Sequence, residues 1–245
     1  MKLPTVNVFH VRGPRLGVGY GIGLIAALAA IVAAGAVYAR DGAVAGWEIS
    51  ILKFFNGFPD WLTAPMWVVQ QPGVLFFPFA AGAVIVALSR RWHYALPFLL
   101  LPVYKLSLEK ELVKTRVDRS RPYTSVGPEI QARGQSLLDE PSFPSGHATT
   151  AVACGILIAF FLPPRWRPVP IIWGLLVAVG RLYYGEHNTL DVICGAALGT
   201  AFAIAAWLLF INRWVGDGPP ADAPAEEATR AASTAGSFRS GNGRR

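Results

Sequence analysis

The sequence predicts an all-α integral membrane protein, built as one bundle of six transmembrane helices. Two observations lead to this fold class. Hydrophobic residues make up 53% of the 245-residue chain and charged residues only 15%, against roughly a quarter charged in ordinary globular domains. The apolar residues also gather in uncharged runs, several of which reach the roughly 20 residues that a helix needs to cross a bilayer.

The first span is predicted at Gly17–Tyr38, after a short cytoplasmic segment, residues 1–16. This run exceeds the roughly 7–15 apolar residues of a signal peptide, so we expect an uncleaved helix. The next segment, Gly42–Asp60, is too polar to span, and its aromatic residues are typical of a helix lying at the membrane interface. An ordinary connecting loop is the alternative there.

Five further spans follow from the remaining apolar runs. They are predicted at Trp61–Leu88, Trp92–Leu108, His147 to the residue before Pro163, Val169–Gly180 and Val192–Ile211. The second span contains Gln70-Gln71-Pro72-Gly73, where we expect a break, and the fifth is short and can extend through Arg181–Tyr184. Residues 17–215 thus form one membrane domain. Residues 216–245, rich in Gly, Pro, Ala and Ser and without periodicity, predict a disordered cytoplasmic tail.

The basic residues outside the polar clusters predict the orientation of the bundle. They precede the first span, separate the second from the third and the fourth from the fifth, and follow the sixth: Lys2, Arg12, Arg15, Arg90, Arg91, Arg165, Arg167 and Arg213. With six spans all of them fall on one side, which the positive-inside rule makes cytoplasmic. The net charge of +7 does not indicate a nucleic-acid partner, because no continuous basic face with aromatic platforms accompanies it.

Three polar clusters interrupt this apolar chain on the opposite, extracytoplasmic side. They are Lys114…Arg121-Pro122, Pro144-Ser145-Gly146-His147 and Arg181…His187…Asp191. Charges are costly in membrane segments, so such a cluster indicates a functional site. The two cysteines, Cys154 and Cys194, fall inside predicted spans and are typical of buried packing residues rather than a disulfide or metal site.

In the first cluster, Lys114 and Arg121 are seven residues apart, which is two helical turns, so a helix would present both on one face. Pro122 would then end that helix. A guanidinium fork and an ammonium group are complementary ligands for phosphate oxygens. A basic interfacial stretch, with Arg116 and Arg119 alongside, is the alternative for this segment alone.

The second cluster opens an apolar helix. A helix N-terminus offers free N–H groups and a partial positive charge to an anion, and Gly146 lets the backbone approach a phosphate closely. Ser145 can cap the helix, donate to the phosphate, or do both, and His147 would protonate a leaving oxygen. The alternative is a serine-capped helix with an interfacial histidine.

The third cluster spaces Arg181, His187 and Asp191 so that a carboxylate follows a histidine by one helical turn. A carboxylate bonded to one ring nitrogen fixes the tautomer and makes the other nitrogen a better nucleophile. The alternative, an ion pair at the membrane surface, does not explain why all three clusters fall on one side. Together they indicate attack by a histidine on a phosphate held by cations.

The patterns Lys-x6-Arg-Pro, Pro-Ser-Gly-His and Arg-x5-His-x3-Asp, in this order among membrane spans, resemble the type-2 phosphatidic acid phosphatase superfamily. That superfamily includes undecaprenyl-diphosphate phosphatases and vanadium haloperoxidases. The resemblance covers Lys114–Asp191 by motif and implies a role for each matched residue. Lys114, Arg121 and Arg181 would bind phosphate with Ser145 and the Gly146 backbone, His187 would form a phosphohistidine, Asp191 would orient it, and His147 would be the general acid.

One position departs from the family pattern. A serine usually precedes the arginine of the third motif, and this chain has Gly180. The change removes a possible hydroxyl contact to phosphate or backbone and leaves the nucleophile, acid and cations in place. We therefore expect tuning rather than inactivity.

The resemblance implies a lipid phosphatase of the bacterial plasma membrane, acting at the extracytoplasmic face. A polyprenyl diphosphate is the first-choice substrate, with phosphatidic acid and phosphatidylglycerol phosphate as close competitors. We expect no metal or other cofactor, since three cations can balance the phosphate charge and no carboxylate cluster is available to hold Mg²⁺. The alternatives are a vanadium haloperoxidase with His187 as metal ligand and a non-catalytic lipid transporter. The expected partners are the lipid substrate and the surrounding membrane lipids. The sequence gives no prediction of the oligomeric state.

Overall fold

The computed structural model describes residues 16–134 and 140–212, and within these ranges the chain forms helices and loops without a strand. The helices are α1 (Val18–Ala39), α2 (Gly46–Asn56), α3 (Thr63–Gln70), α4 (Phe77–Ser89), α5 (Leu96–Tyr104), α6 (Thr115–Val117), α7 (Pro122–Ser125), α8 (Gly146–Phe161), α9 (Pro168–Tyr183) and α10 (Thr189–Ala206). Short 3-10 turns lie at Asp60–Leu62, Gln71–Gly73, Trp92–Ala95 and Pro164–Trp166. Wider π-helical turns follow α5 at Lys105–Lys114 and α10 at Trp207–Ile211.

Helices α8, α9 and α10 pack closely and form the centre of the bundle. A Cβ atom at Gly174 of α9 would lie 2.7 Å from the backbone oxygen of Ala151 in α8. One at Gly199 of α10 would lie 2.3 Å from the backbone oxygen of Thr149. Glycine at both positions therefore allows an approach that no side chain would permit. Helix α1 lies against α10, and α5 packs on the far ends of α8 and α10 around a buried cluster of Phe98, Leu101, Leu157, Trp207 and Ile211.

Two of the described helices are long and apolar enough to cross a membrane, namely α1 and the continuous helix Thr189–Ile211. The pair Asp60–Gly73 and Phe77–Ser89 would count as a third span with a bend of 66°. These correspond to the first, sixth and second predicted spans. The all-helical fold class agrees with the sequence, whereas the count of six spans stays a prediction.

The bend in the second predicted span lies where the sequence placed its break. Helix α3 ends at Gln70, and Gln71–Gly73 forms a 3-10 turn. Proline at position 72 has no N–H to continue the helical bonding. Two other expectations also agree with the structure: Gly46–Asn56 is a helix rather than a connecting loop, and α9 continues as far as Tyr183.

One local prediction is wrong, because no single helix joins Lys114 to Arg121. The helix ends at Val117, Asp118 adopts a left-handed conformation with φ 46°, and Arg121 is extended with ψ 159°. Pro122 begins α7 instead of ending a helix, since the first helical position needs no N–H. Lys114 and Arg121 therefore belong to separate elements. The predicted cytoplasmic tail, residues 216–245, lies outside the described residues.

Candidate active site

The three polar clusters meet at one end of the bundle. Helices α8 and α10 begin there and α9 ends there, since the three helices are consecutive and antiparallel. Backbone hydrogen bonds join the connecting loops: the Ser145 N–H donates to the Asp191 oxygen over 2.9 Å, and the Ser142 N–H donates to the Arg119 oxygen over 2.7 Å. Residues more than seventy positions apart in sequence are thus held within one compact region.

His187 lies in the loop before α10 and is nearly fully buried, with 3% of its surface exposed. Its Nδ1 atom is 2.8 Å from the backbone oxygen of Ser142. A carbonyl oxygen only accepts, so this bond requires the proton on Nδ1 and leaves the Nε2 lone pair available. Burial lowers the pKa of His187 to about 3. The imidazole is therefore neutral at neutral pH, which is the form a nucleophile needs.

Asp191 lies close to His187 but is not the group that holds its ring. The distance from Oδ2 to Nδ1 is 3.8 Å, longer than a hydrogen bond. Oδ2 instead accepts the Asn188 N–H over 2.8 Å, and Oδ1 accepts from Arg119 Nη1 over 2.9 Å. Asp191 is the third residue of α10, where a carboxylate caps the helix start. The shortest contact to the His187 ring is thus the Ser142 carbonyl, and Asp191 lies beside it at 3.8 Å.

Asp191 also belongs to a fully buried network of ion pairs with Arg119 and Glu48. Arg119 donates to both carboxylate oxygens of Glu48, over 2.8 Å and 3.1 Å, and to the Ala43 oxygen over 2.7 Å, as well as to Asp191. Burial acts to lower the pKa of Arg119, but the two carboxylates outweigh it and raise that pKa. Sequence reasoning missed Glu48 and treated Arg119 as a basic neighbour, because 71 positions separate them and no local pattern pairs them.

The guanidinium groups of Arg121 and Arg181 lie in the same part of the site, because both contact Glu186. Arg121 donates from Nη1 to the Glu186 backbone oxygen over 2.8 Å, and its Nη2 is 3.5 Å from the Glu140 carboxylate. The Arg181 Nη2 atom contacts the Glu186 carboxylate. Burial lowers the pKa of Arg121, which remains a cation at neutral pH.

Four buried donors in this region have no hydrogen-bond partner among the described residues: Arg119 Nε, in the ion network behind Asp191, and Arg121 Nε, Arg181 Nε and Ser145 Oγ in the three motifs. Ser145 precedes α8 at the cap position, yet its hydroxyl does not cap the helix. Of the two roles that the sequence left open for Ser145, donation to an anion is the one this geometry favours. Leaving a buried donor unpaired costs free energy that a bound anion would offset.

A cavity of about 760 Å³ opens beside these groups, between α3 and α9. His147 and Arg181 are the sequence-predicted site residues that line it, together with Gln70, Tyr184 and Glu186. Lys114, Arg121, Ser145, Gly146, His187 and Asp191 do not line it. His147 nevertheless lies within electrostatic range of Arg181, Lys114 and the His187 ring. We call this space the α3–α9 cavity.

Residues 92–214 match the sequence pattern of the PAP2 superfamily. The chain belongs to this superfamily. The family predicted from the three motifs is therefore confirmed, and Lys114, His147, Arg181, His187 and Asp191 all lie inside the matched region. Glu48 and Gln70 lie outside it. Within the described residues, no group of three or more His, Cys, Asp and Glu side chains is arranged to hold a metal ion.

Curated relatives of this chain carry names of phosphatases. The chain is 30% identical over 168 residues to a lipid A 1-phosphatase of Rhizobium johnstonii, a match that covers 64% of this chain and 66% of the relative, just under two thirds of its length. It is 33% identical over 108 residues to an undecaprenyl-diphosphatase of Sulfolobus acidocaldarius, covering 42% of this chain and 46% of the relative. These names agree with the predicted class of enzyme.

The fold resembles one solved structure of a membrane protein. The crystal structure of a transmembrane PAP2-type phosphatidylglycerolphosphate phosphatase from Bacillus subtilis matches with a TM-score of 0.55 and 23% identity, over 76% of this chain and 93% of that chain. This likeness establishes the shared fold. With the apolar helices, it identifies the chain as an integral membrane protein.

Proposed function

We propose that this protein is a lipid phosphatase that hydrolyses a lipid phosphate or diphosphate through a phosphohistidine on His187. One observation carries the proposal: His187 donates its Nδ1 proton to the Ser142 carbonyl over 2.8 Å, so the Nε2 lone pair is available. The unpaired donors on Arg121, Arg181 and Ser145 lie around the same end of the bundle. A neutral nucleophile beside cations and hydroxyl donors is the arrangement that phosphoryl transfer needs.

The first step is in-line attack of His187 Nε2 on phosphorus. The N–P bond forms as the bond from phosphorus to the leaving oxygen breaks, and His147, which starts as an imidazolium paired with the anionic substrate, donates its proton to that oxygen. In the second step His147 takes a proton from water, and the resulting hydroxide attacks phosphorus. The N–P bond breaks, inorganic phosphate leaves, and both histidines return to their starting states. Each step gains from positioning and from charges already in place.

The cations stabilise the charge that spreads over the three equatorial oxygens. Arg121 and Arg181 supply guanidinium forks, Lys114 a point charge, and Ser145 with the Gly146 N–H two neutral donors. Glu186 and Glu140 contact the two arginines, so an entering phosphate competes with these carboxylates for the guanidinium groups. We expect the reaction to need no metal ion.

For the substrate we retain a polyprenyl diphosphate as the first candidate. Attack on its terminal phosphorus would release a polyprenyl monophosphate, and one relative is named an undecaprenyl-diphosphatase. The 1-phosphate of lipid A is a second candidate, because two Rhizobium relatives with 30% and 27% identity are named lipid A 1-phosphatases. Both are phosphates anchored by long hydrocarbon chains. The exposed Trp61 and Trp67, which line the α3–α9 cavity, suit an interfacial entrance for such molecules.

We further propose that the site faces away from the cytoplasm. The loops with Arg90–Arg91 and Arg165–Arg167 lie at the opposite end of the bundle, where α4 and α8 end. The positive-inside rule assigns that end to the cytoplasm. The site would then meet lipids in the outer leaflet of the bacterial plasma membrane.

The test is phosphate release by the purified protein in detergent containing EDTA. The panel comprises a polyprenyl diphosphate, lipid A, phosphatidic acid and phosphatidylglycerol phosphate, with His187→Ala as the inactive variant. His93→Ala, which changes a histidine at the other end of the bundle, is the matched control. We expect EDTA-resistant release that His187→Ala abolishes and His93→Ala preserves. Release from no lipid, or equal release by His187→Ala, would contradict the proposal.

A further inference from the structure

Gln70, the last residue of α3, lies directly against the glycine that precedes Arg181. A Cβ atom built at Gly180 would lie 2.1 Å from Gln70 Nε2 and 3.2 Å from its Cδ. Real side chains do not approach so closely, so the amide of Gln70 occupies the space that a side chain at position 180 would fill. Gln70 is 5% exposed, and its polar atoms must therefore find partners within the protein.

The amide of Gln70 has two partners, both on α9. Its Nε2 donates to the Val177 backbone oxygen over 3.1 Å, and its Oε1 accepts from Arg181 Nη1 over 3.4 Å. A carbonyl oxygen can only accept and a guanidinium can only donate, so these partners fix which way the amide points. Gln70 thus links the backbone of α9 to the arginine head group.

We infer that Gln70 is a positioning residue for Arg181, and that Gly180 leaves the room its amide occupies. The inference rests on the proposed function only in giving Arg181 the role of a phosphate ligand. The serine hydroxyl that the superfamily usually places at position 180 is replaced here by an amide from another helix. Gln70 binds Arg181 Nη1 and the Glu186 carboxylate contacts Nη2, while the Arg181 Nε donor stays unpaired and available to the anion.

The same short segment also contacts the other side of the site. Three residues after Gln70, a Cβ at Gly73 would lie 2.7 Å from the ring Cδ2 of His147. The bend between α3 and α4 therefore packs against both His147 and Arg181 and lines the α3–α9 cavity. This explains why a membrane segment with an interrupting Gln-Gln-Pro-Gly sequence belongs to the site.

A double-mutant cycle tests the pair. The four proteins are wild type, Gln70→Ala, Gly180→Ser and the double variant, and the readouts are the dissociation constant for inorganic phosphate and kcat/KM for the best lipid. Because Gln70→Ala removes a hydrogen bond to a charged group, we expect it to weaken phosphate binding roughly tenfold. Gly180→Ser should weaken it as well, because its side chain collides with Gln70. The double variant should bind better than either single variant, since the serine then fills the space that the amide has left.

Two further variants separate positioning from folding. Gln70→Leu keeps most of the side-chain volume and loses the amide, so phosphate binding should fall while the thermal unfolding midpoint stays within a few degrees of wild type. Asn212→Ala removes an amide that pairs with Leu16 at the other end of the bundle, and should leave phosphate binding unchanged. Additive losses in the cycle, or wild-type binding by Gln70→Leu, would overturn the inference. If the wild type bound phosphate but turned over no lipid, the proposed function would be contradicted. The phosphate dissociation constants of the variants would still test the role of Gln70.

Discussion

At the scale of single residues, the hydrogen bond from His187 to the Ser142 carbonyl determines which ring nitrogen carries the proton. It requires the Nδ1–H tautomer, and burial lowers the pKa of His187 to about 3. The neutral form should therefore persist as the pH falls from 8 to 5, although an exposed histidine would gain a proton near 6.5. Nitrogen-15 NMR of histidine-labelled protein, with the His187 signal assigned from the His187→Gln variant, measures both properties. A titration midpoint near 6.5 or an Nε2–H tautomer would contradict this assignment.

Arg121 provides a second prediction at this scale. Its guanidinium donates to the Glu186 backbone oxygen over 2.8 Å and retains an unpaired Nε. A lysine has no planar guanidinium and cannot donate to the Glu186 oxygen and to a phosphate at the same time. Arg121→Lys should lower kcat/KM by roughly tenfold or more, since one charge-assisted hydrogen bond is lost. The same substitution at the exposed Arg116 is the control and should change kcat/KM little. Near-wild-type activity of Arg121→Lys would remove Arg121 from the phosphate site.

At the scale of elements, the Glu48–Arg119–Asp191 network ties α2 to the start of α10. All three side chains are fully buried, and breaking one member of such a network leaves an uncompensated charge. Glu48→Gln should therefore lower the free energy of unfolding by about 3–5 kcal/mol. The comparison is Glu129→Gln, which breaks a half-exposed ion pair with Lys53 at 3.2 Å and should leave the unfolding midpoint in place. Equal midpoints for Glu48→Gln and wild type would show that the network does not stabilise the fold.

Sequence periodicity and composition predicted the elements whose cause is local. The apolar runs of α1 and α10, the break at Pro72 and the start of α8 after Ser145 all follow from short stretches of chain. The end of the helix at Val117 could not be predicted in this way, because no local pattern marks the left-handed turn at Asp118, and the partners of the next residue, Arg119, are distant in sequence. The contact of Ser142 could not be predicted for a different reason. Its backbone oxygen binds His187, and a pattern of side chains carries no information about which backbone carbonyl lies at a site.

The candidate site shows the same division between local and long-range causes. The order and spacing of the three motifs were enough to propose His147, His187, Asp191 and the phosphate ligands. Gln70 and Glu48 lie on α3 and α2, far from those motifs in sequence, and the packing of these helices against α9 and α10 brings them to the site. Gly180 cannot be interpreted from its neighbours in sequence, because the Gln70 amide that occupies the space beside it comes from α3.

At the scale of the whole molecule, the helix order predicts which loops face the cytoplasm. The Arg165 loop and the Glu140 loop lie at opposite ends of α8, and both residues are exposed. A cysteine at position 140 should react with a membrane-impermeant maleimide on intact cells, whereas one at position 165 should react only after permeabilisation. The native Cys154 and Cys194 are buried and provide a low background. The reverse labelling pattern would place the site on the cytoplasmic side.

The most direct test of the histidine mechanism is to trap the phosphoryl group on the protein. Wild type turning over a lipid phosphate labelled on the transferred phosphorus is denatured rapidly in alkaline detergent, where phosphohistidine survives, and the labelled peptide is identified by mass spectrometry. We predict label on His187, lost on mild acid treatment and absent from His187→Ala. Steady turnover by the wild type with label on another residue, or label that persists in His187→Ala, would contradict the account.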